Sequence, residues 1–203
     1  MFITVEGIEG CGKSTLVAGL SSRLRAAGRE TIVSREPGGT PAGDAVRAIF
    51  LEPGLEIAPL TEALLINASR AQHIVDVIEP AIARGAIVLC DRFVDSTLAY
   101  QGYGRGIDLA LLASLCETAA GGRVPDLTFV LDLPVAISRE RVFNRDGGRA
   151  DRMEREEPAF YERVRRGFLD LASRGARYHV LDATKPVEDL VAQAYARLAE
   201  LVA

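Results

Sequence analysis

Near its start the chain carries a glycine-rich segment whose residue types suit phosphate binding. The run Gly7-Ile8-Glu9-Gly10-Cys11-Gly12-Lys13-Ser14 matches the G-x-x-x-x-G-K-[ST] pattern. In such a loop the glycines let backbone N–H groups turn toward phosphates, Lys13 reaches the outer phosphates, and the Ser14 hydroxyl can coordinate Mg²⁺. We therefore predict a nucleotide-binding set comprising Gly7, Gly10, Cys11, Gly12, Lys13, Ser14 and Thr15.

The flanking sequence fits this interpretation better than a glycine-rich turn without function. Residues 1–6 form a short apolar run, as expected for a strand, and Leu16, Leu20 and Leu24 follow at helical spacing on one face. A helix that begins at the loop directs the positive end of its dipole at the same anion.

Strand and helix patterns alternate along the rest of the chain. The candidate strands, mostly apolar without polar alternation, cover residues 2–5, 31–34, 87–90, 127–133 and 178–181. Helical patterns cover about 60–84, 109–120, 135–143, 159–172 and 187–201. Because we find no internal repeat and no linker, we predict one α/β domain over residues 1–203, with a five-stranded parallel sheet flanked by helices.

One side of the long helical pattern at 60–84 is apolar. Its members are Leu64, Ala68, Ala71, Val75, Ile78 and Ile82. The sequence leaves open whether this face packs in the core or forms a dimer interface.

Composition excludes several classes of protein. The chain has 203 residues, a net charge of −4 and 26% charged residues, so bulk charge gives no reason to expect binding to nucleic acid or a membrane surface. The three cysteines, Cys11, Cys90 and Cys116, are odd in number and widely spaced, which argues against a disulfide framework or a zinc site. With no signal-peptide pattern and no membrane-length apolar run, we expect a cytoplasmic protein.

In parallel sheets, ligands bind at the carboxyl ends of the strands. Arg35 opens the turn after the second strand, and Arg47 follows on the next predicted helix; both could be solvated or could bind an anion. Asp91 ends the third strand, where it could hold Mg²⁺ opposite Ser14 or cap a helix. The next residue, Arg92, can form a forked contact with a phosphate.

A charged segment at residues 144–157 surrounds Gly147 and Gly148. It could be a solvated loop, but a glycine-hinged, arginine-rich lid suits phosphoryl transfer, which needs cations over the transferring group. We therefore prefer the lid.

Taken together, these motifs resemble bacterial thymidylate kinases. The matching stretches are Glu6 to Ser14, Arg35-Glu36-Pro37-Gly38-Gly39-Thr40, Ser69-Arg70-Ala71-Gln72-His73, Asp91-Arg92-Phe93 through Tyr100-Gln101-Gly102 to Gly104-Arg105-Gly106, and Asp151-Arg152 with Glu154. The resemblance implies a P-loop nucleoside monophosphate kinase fold, ATP and Mg²⁺ as cofactors, phosphorylation of dTMP to dTDP, and a homodimer.

The resemblance also implies roles for individual residues. Glu9 would meet the deoxyribose 3′-hydroxyl, Arg70 and Thr97 would read the thymine edge, and Tyr100 would crowd the sugar 2′ position. The phosphate of dTMP would be held by Arg35, Arg47 and Arg92, and the rest of the pocket would include Pro37, Ser96 and Gln101. Family members tend to have a cis peptide before the proline at position 37.

Two features set this chain apart within the family pattern. Its phosphate-binding loop lacks an arginine, so it resembles the subgroup that supplies a catalytic arginine from the lid; Arg149 is the first candidate and Arg145 the second, alongside Lys13 and Arg92. Where the family commonly has a phenylalanine stacked on thymine, this chain has Ile66. A one-residue shift of the alignment is the other explanation, with Phe50 the nearest aromatic upstream.

Three other possibilities stay open at this point. The chain could be another nucleoside or nucleotide kinase on the same fold, or a P-loop switch, although a switch would not need the acceptor-side arginines. Separately, Cys11 could be a reactive thiolate, because N–H groups, Lys13 and a helix N-terminus surround it, or merely a small tolerated residue.

Overall fold

Five parallel strands form one sheet in the order β2-β3-β1-β4-β5. The computed structural model describes residues 1–146 and 151–202. The strands are β1 (Phe2–Glu6), β2 (Thr31–Arg35), β3 (Ile87–Asp91), β4 (Leu127–Asp132) and β5 (Tyr178–Asp182). Each predicted strand is confirmed to within one residue, and so is the predicted fold class of a parallel sheet flanked by helices.

The helices of the described residues are α1 (Lys13–Ala26), α2 (Pro41–Leu51), α3 (Pro59–His73), α4 (Glu79–Ala83), α5 (Val94–Thr97), α6 (Leu109–Ala119), α7 (Val135–Asp146), α8 (Pro158–Ala172) and α9 (Val187–Val202). A π-helical turn, Ile74–Ile78, joins α3 to α4, and a second, Leu98–Gly104, continues α5. None of them, within the described ranges, is long and apolar enough to cross a membrane.

The predicted helix at 60–84 is therefore interrupted rather than regular. Pro80 lies in the first turn of α4, directly after the π-helical turn. Proline has no N–H to donate and its ring clashes with the carbonyl four residues earlier, so a local widening of the helix accommodates it. The helical stretch 94–104 was not predicted, and it carries several residues of the site.

Two of the three apolar clusters formed by the described residues bear most directly on the site. The first joins the sheet to α1 and α9, through residues such as Leu20, Phe129 and Leu198. The second contains Phe160 and Phe168 of α8. β1 is buried along its whole length, which fixes the start of the glycine-rich loop at its end.

The apolar face predicted on the long helix lies only partly in the core of the chain, through Ile78 and Ile82. Four of its six members are exposed: Leu64, Ala68, Ala71 and Val75. The side of α3 that faces inward instead carries fully buried Arg70 and His73, which pair with Glu36 at 2.8 and 3.0 Å. The hydrogen bonds of these groups allow their burial.

Candidate active site

The glycine-rich loop wraps between the end of β1 and the start of α1. Gly7 has φ 140°, and a Cβ there would lie 2.7 Å from the carbonyl oxygen of Leu131, so only glycine fits. The N-cap of α1 is Gly12, which has no side chain to occupy the N–H groups of the first turn. Lys13 Nζ donates to the carbonyl oxygens of Gly7 (3.2 Å) and Ile8 (2.9 Å). The loop thus folds around its own lysine.

Cys11 does not have the environment of a reactive thiolate. Its side chain is buried, and this burial raises the pKa of the thiol despite the nearby charges of Lys13 and Arg92. Desolvation outweighs those charges because the thiolate would lose its water. Of the two possibilities left open for Cys11, the structure therefore favours a small tolerated residue over a reactive thiolate.

Ser14 and Asp91 face each other across the first turn of α1. Ser14 Oγ donates to Asp91 Oδ2 at 2.9 Å. Asp91 does not cap the following helix, because the N-cap of α5 is Phe93. A hydroxyl and a carboxylate are the hard oxygen donors that suit Mg²⁺, so this pair fits the ion.

A cavity of about 500 Å³ opens between the loop and the ends of β2 and β3. It brings together all but three of the predicted site residues. The exceptions are Gly7 and Cys11, which do not line it, and Arg149, which lies outside the described residues. Lining residues that were not predicted as site residues include Glu36, Leu51 and Met153.

Three arginines, Arg35, Arg47 and Arg92, concentrate positive charge on one side of this cavity. Burial, and then Arg35 and Arg92, lower the pKa of the Arg47 guanidinium. Its Nη1 donates to the carbonyl oxygen of Pro37 at 3.2 Å, which holds the side chain among its like-charged neighbours. The Glu36–Pro37 peptide is cis, as the family resemblance implies. Clustered cations of this kind suit a dianionic phosphate.

Arg92 has an unusual backbone and a dense set of contacts. Its φ is 74°, in the left-handed region that non-glycine residues rarely adopt. Nη2 pairs with Glu9 Oε1 at 2.7 Å, and Nη1 donates to Ser96 Oγ at 3.0 Å. The Tyr100 hydroxyl donates to the other Glu9 oxygen at 2.6 Å. Strained backbone held by many contacts is common at functional sites.

The far end of the cavity combines apolar walls with a few polar groups. Arg70 donates from Nη2 to Thr97 Oγ1 at 2.9 Å and from Nε to Glu36. Gln101 Oε1 is buried without a hydrogen-bond partner among the described residues. Ile66 and Phe50 both line this end, so an aromatic ring is present but comes from α2 rather than α3. The size and polarity fit a planar base.

The end of α7 and the segment after it contact the cavity through charged residues. Arg145, on α7, lines the cavity and forms an ion pair with Glu154. Arg152 pairs with the fully buried Glu62 of α3, and its guanidinium lies 4.8 Å from the ring centre of Phe50. Glu62 was not predicted as a site residue because a single acidic residue in a helical pattern is typical of a solvated face.

Comparison with known proteins connects this geometry to one family. The family model described as "Thymidylate kinase" matches residues 5–194. A thymidylate kinase from Deinococcus radiodurans is 51% identical over 201 residues, covering 98% of this chain and 97% of that protein. One from Geobacter sulfurreducens is 51% identical over 92% of this chain and 91% of that protein. The crystal structure of thymidylate kinase from Ehrlichia chaffeensis superposes with a TM-score of 0.77 at 33% identity, covering 100% of this chain and 98% of that one.

Proposed function

This chain belongs to the thymidylate kinase family, and on that premise we propose which of its residues bind ATP and dTMP and which act on the transferring phosphoryl group. The chain phosphorylates dTMP to dTDP with ATP as donor. In this reaction an oxygen of the dTMP phosphate bonds to the γ-phosphorus as the bond to the leaving oxygen of ADP breaks. The two earlier alternatives, a different nucleotide kinase and a P-loop switch, give way to this assignment.

The observation that carries the proposal is the cluster of Arg35, Arg47 and Arg92 beside the glycine-rich loop. Burial, and then Arg35 and Arg92, lower the pKa of Arg47, so an anion that enters among the three side chains relieves their mutual repulsion. The three side chains and Lys13 line one cavity, so two phosphate groups can approach each other there. We assign the acceptor phosphate to the three arginines and the ATP phosphates to the loop.

At the donor end, Lys13 would leave its carbonyl partners and stabilise charge on the transferring group. The N–H groups of residues 7–15 would cradle the phosphates. Ser14 and Asp91 would hold Mg²⁺, directly or through water. When bound, the ion offsets phosphate charge, as in other phosphoryl-transfer enzymes.

At the acceptor end, Glu9 would accept from the 3′-hydroxyl of dTMP, and Tyr100 would exclude a 2′-hydroxyl. Arg70, Thr97 and Gln101 would bind the edge of thymine, and Ile66 would cover its face. Pro37 and Ser96 would complete the pocket. Gln101 Oε1, which is buried and has no hydrogen-bond partner in the part of the chain that the structure describes, supports this arrangement because it needs a donor such as a base N–H.

Residues 144–157 would act as a lid on a single domain, with Arg149 or Arg145 over the γ-phosphoryl group. The position of Arg145 at the cavity wall supports this role. We also propose that the protein works in the cytoplasm without nucleic-acid partners; its three free cysteines suit a reducing compartment.

We further propose a homodimer that uses the exposed apolar face of α3 and the π-helical turn after it. Leu64 and Val75 are 49% and 66% exposed, in line with a surface that a second copy covers. Sedimentation should show a dimer for the parent and for the control Leu201→Glu, whose site is exposed on α9, but a monomer for Leu64→Glu combined with Val75→Glu. A dimeric double variant would reject this face.

The acceptor assignment is tested by a panel of dTMP, dUMP, dCMP, dGMP and thymidine with ATP. Rapid multiple turnover with dTMP, and little ATP hydrolysis without an acceptor, is the expected result. Equal rates with dTMP and thymidine would contradict the assignment, because thymidine has no phosphate for the arginines.

A further inference from the structure

A buried carboxylate that the reaction has not yet used lies directly behind Arg92. Glu6, the last residue of β1, has a fully buried side chain. Its Oε1 accepts from the backbone N–H of Phe93 at 2.7 Å, and its Oε2 accepts from Ser96 Oγ at 2.6 Å. Ser96 Oγ in turn accepts from Arg92 Nη1 at 3.0 Å. The carboxylate therefore accepts hydrogen bonds both from the backbone turn that follows Arg92 and from the hydroxyl that contacts its guanidinium.

We propose that Glu6 is a positioning residue for the acceptor site, which fixes the left-handed turn at Arg92 and orients its guanidinium through Ser96. This inference rests on the proposed function, in which Arg92 holds the phosphate of dTMP. Glu6 does not line the cavity, so it acts only through other residues.

The two hydrogen bonds explain how the arrangement is maintained. At φ 74° the Arg92 backbone would relax toward negative φ if nothing held it. The bond to Phe93 N fixes the peptide after the turn, and the bond from Arg92 N to Val5 O, 3.0 Å, fixes the peptide before it. The Ser96 hydroxyl has one hydrogen. Because this hydrogen is donated to Glu6, the lone pairs of Ser96 Oγ are left to accept from Arg92. An ionised Glu6 thereby sets the direction of the Ser96 hydroxyl.

Glu6 is also placed to change its charge near neutral pH. Burial, and then the charge of Asp95, raise its pKa from the ordinary 4.5 to about 7. The charged and titratable groups that act on it from the surrounding elements are Arg70, Cys90, Arg92, Asp95, Arg177 and Tyr178. When Glu6 gains a proton, one oxygen becomes a donor, and the hydrogen of Ser96 loses its acceptor. Binding of dTMP should therefore improve as the pH rises through about 7.

The contribution of Glu6 to folding stability changes with pH in the opposite direction to dTMP binding. Since the folded-state pKa lies above the ordinary value, the folded protein holds this proton more strongly than the unfolded chain between about pH 4.5 and 7, and stability from this group falls as the pH rises across that window. A neutral Gln at position 6 avoids this loss. The difference in Tm between Glu6→Gln and the parent should therefore shift in favour of the variant from pH 5 to pH 8.

The test compares steady-state kinetics of the parent, Glu6→Gln, Arg92→Met and the control Glu188→Gln, which changes an exposed residue of α9. At pH 8, Glu6→Gln should raise the KM for dTMP about 10-fold, as expected when a binding group is misaligned, with the KM for ATP within about twofold. Between pH 6 and 8 the parent's kcat/KM for dTMP should rise further than that of Glu6→Gln, which keeps only the titration of the dTMP phosphate near pH 6.

The two variants test different proposals. If Arg92→Met leaves the KM for dTMP unchanged, the proposed role of Arg92 fails. If Arg92→Met raises it but Glu6→Gln keeps both the parent KM and the parent pH profile, the positioning role of Glu6 is wrong. Should Glu6→Gln not fold, Ser96→Ala interrupts the same contact; because Ser96 itself lines the pocket, the pH profile decides, and a rise of kcat/KM between pH 6 and 8 as large as that of the parent overturns the inference.

Discussion

Arg92 Nη2 and Glu9 Oε1 form an ion pair of 2.7 Å that joins the acceptor side of the cavity to the glycine-rich loop. Both partners are proposed to bind dTMP, Glu9 through the sugar and Arg92 through the phosphate. In the absence of substrate each satisfies the other, which keeps two partly buried charges compensated. The substrate must therefore replace the Glu9–Arg92 ion pair with its own contacts. Before it binds, these two charged side chains are already paired with each other.

Lys13 should be required for turnover rather than folding. Lys13→Met removes two hydrogen bonds to backbone carbonyls, and the variant should still fold. Without the cation on the transferring group, kcat should fall on the order of 10²-fold or more. Lys185→Met, at an exposed site before α9, is the matched control and should keep parent activity. Near-parent kcat in Lys13→Met would mean that this loop does not bind the reacting phosphates.

The lid arginines should act on chemistry more than on dTMP binding. Arg145→Ala or Arg149→Ala should lower kcat, by up to roughly 10³-fold for the residue that contacts the transferring group, with a small change in the KM for dTMP. Single-turnover measurements with saturating ATP separate chemistry from product release. Unchanged rates in both variants would place the catalytic cation elsewhere.

An aromatic ring at position 66 should improve binding of the thymine base. Ile66→Phe should lower the KM for dTMP by roughly 2- to 10-fold with kcat little changed, since stacking adds about 0.5–1.5 kcal/mol to ground and transition states alike. Phe50 lines the same end of the cavity, so the added ring could overpack. Combining it with Phe50→Leu restores the volume. If neither the single nor the double variant changes dTMP kinetics, Ile66 does not face the base.

Cys11 should be inert in the folded protein. It is buried and the pKa of its thiol is raised, so native labelling with iodoacetamide should be much slower than labelling in denaturant. Mass spectrometry of the cysteine peptides measures this directly. Rapid, ATP-protected inactivation by peroxide that disappears in Cys11→Ala would show that the loop opens enough to expose it.

Local pattern was enough to predict the strands and the loop, because uninterrupted apolar runs and fixed glycine spacing have few other solutions. The inward face of α3 was different. Its buried Glu62, Arg70 and His73 are typical of a solvated face until their partners are known, and those partners are distant in sequence, as with Glu36 and Arg152. The exposed Leu64 and Val75 could not be assigned to the core or to a dimer interface from sequence, because that choice also depends on partners that are distant in sequence or on another chain.

The thiol of Cys11 shows the same limit. Sequence reports the neighbouring charges but not the depth of burial, and burial decides the direction of the pKa shift. Helix 94–104 was missed because its π-helical part lacks the regular spacing on which helix prediction depends.

The acceptor phosphate is assigned to the arginine cluster, and titration calorimetry of dTMP and thymidine against the parent and Arg47→Met tests this assignment directly. We predict that the Kd for dTMP rises roughly 10- to 100-fold in the variant, because a charged hydrogen bond is lost, while the Kd for thymidine stays within about twofold. Equal weakening of both ligands, or no weakening of dTMP, would contradict it.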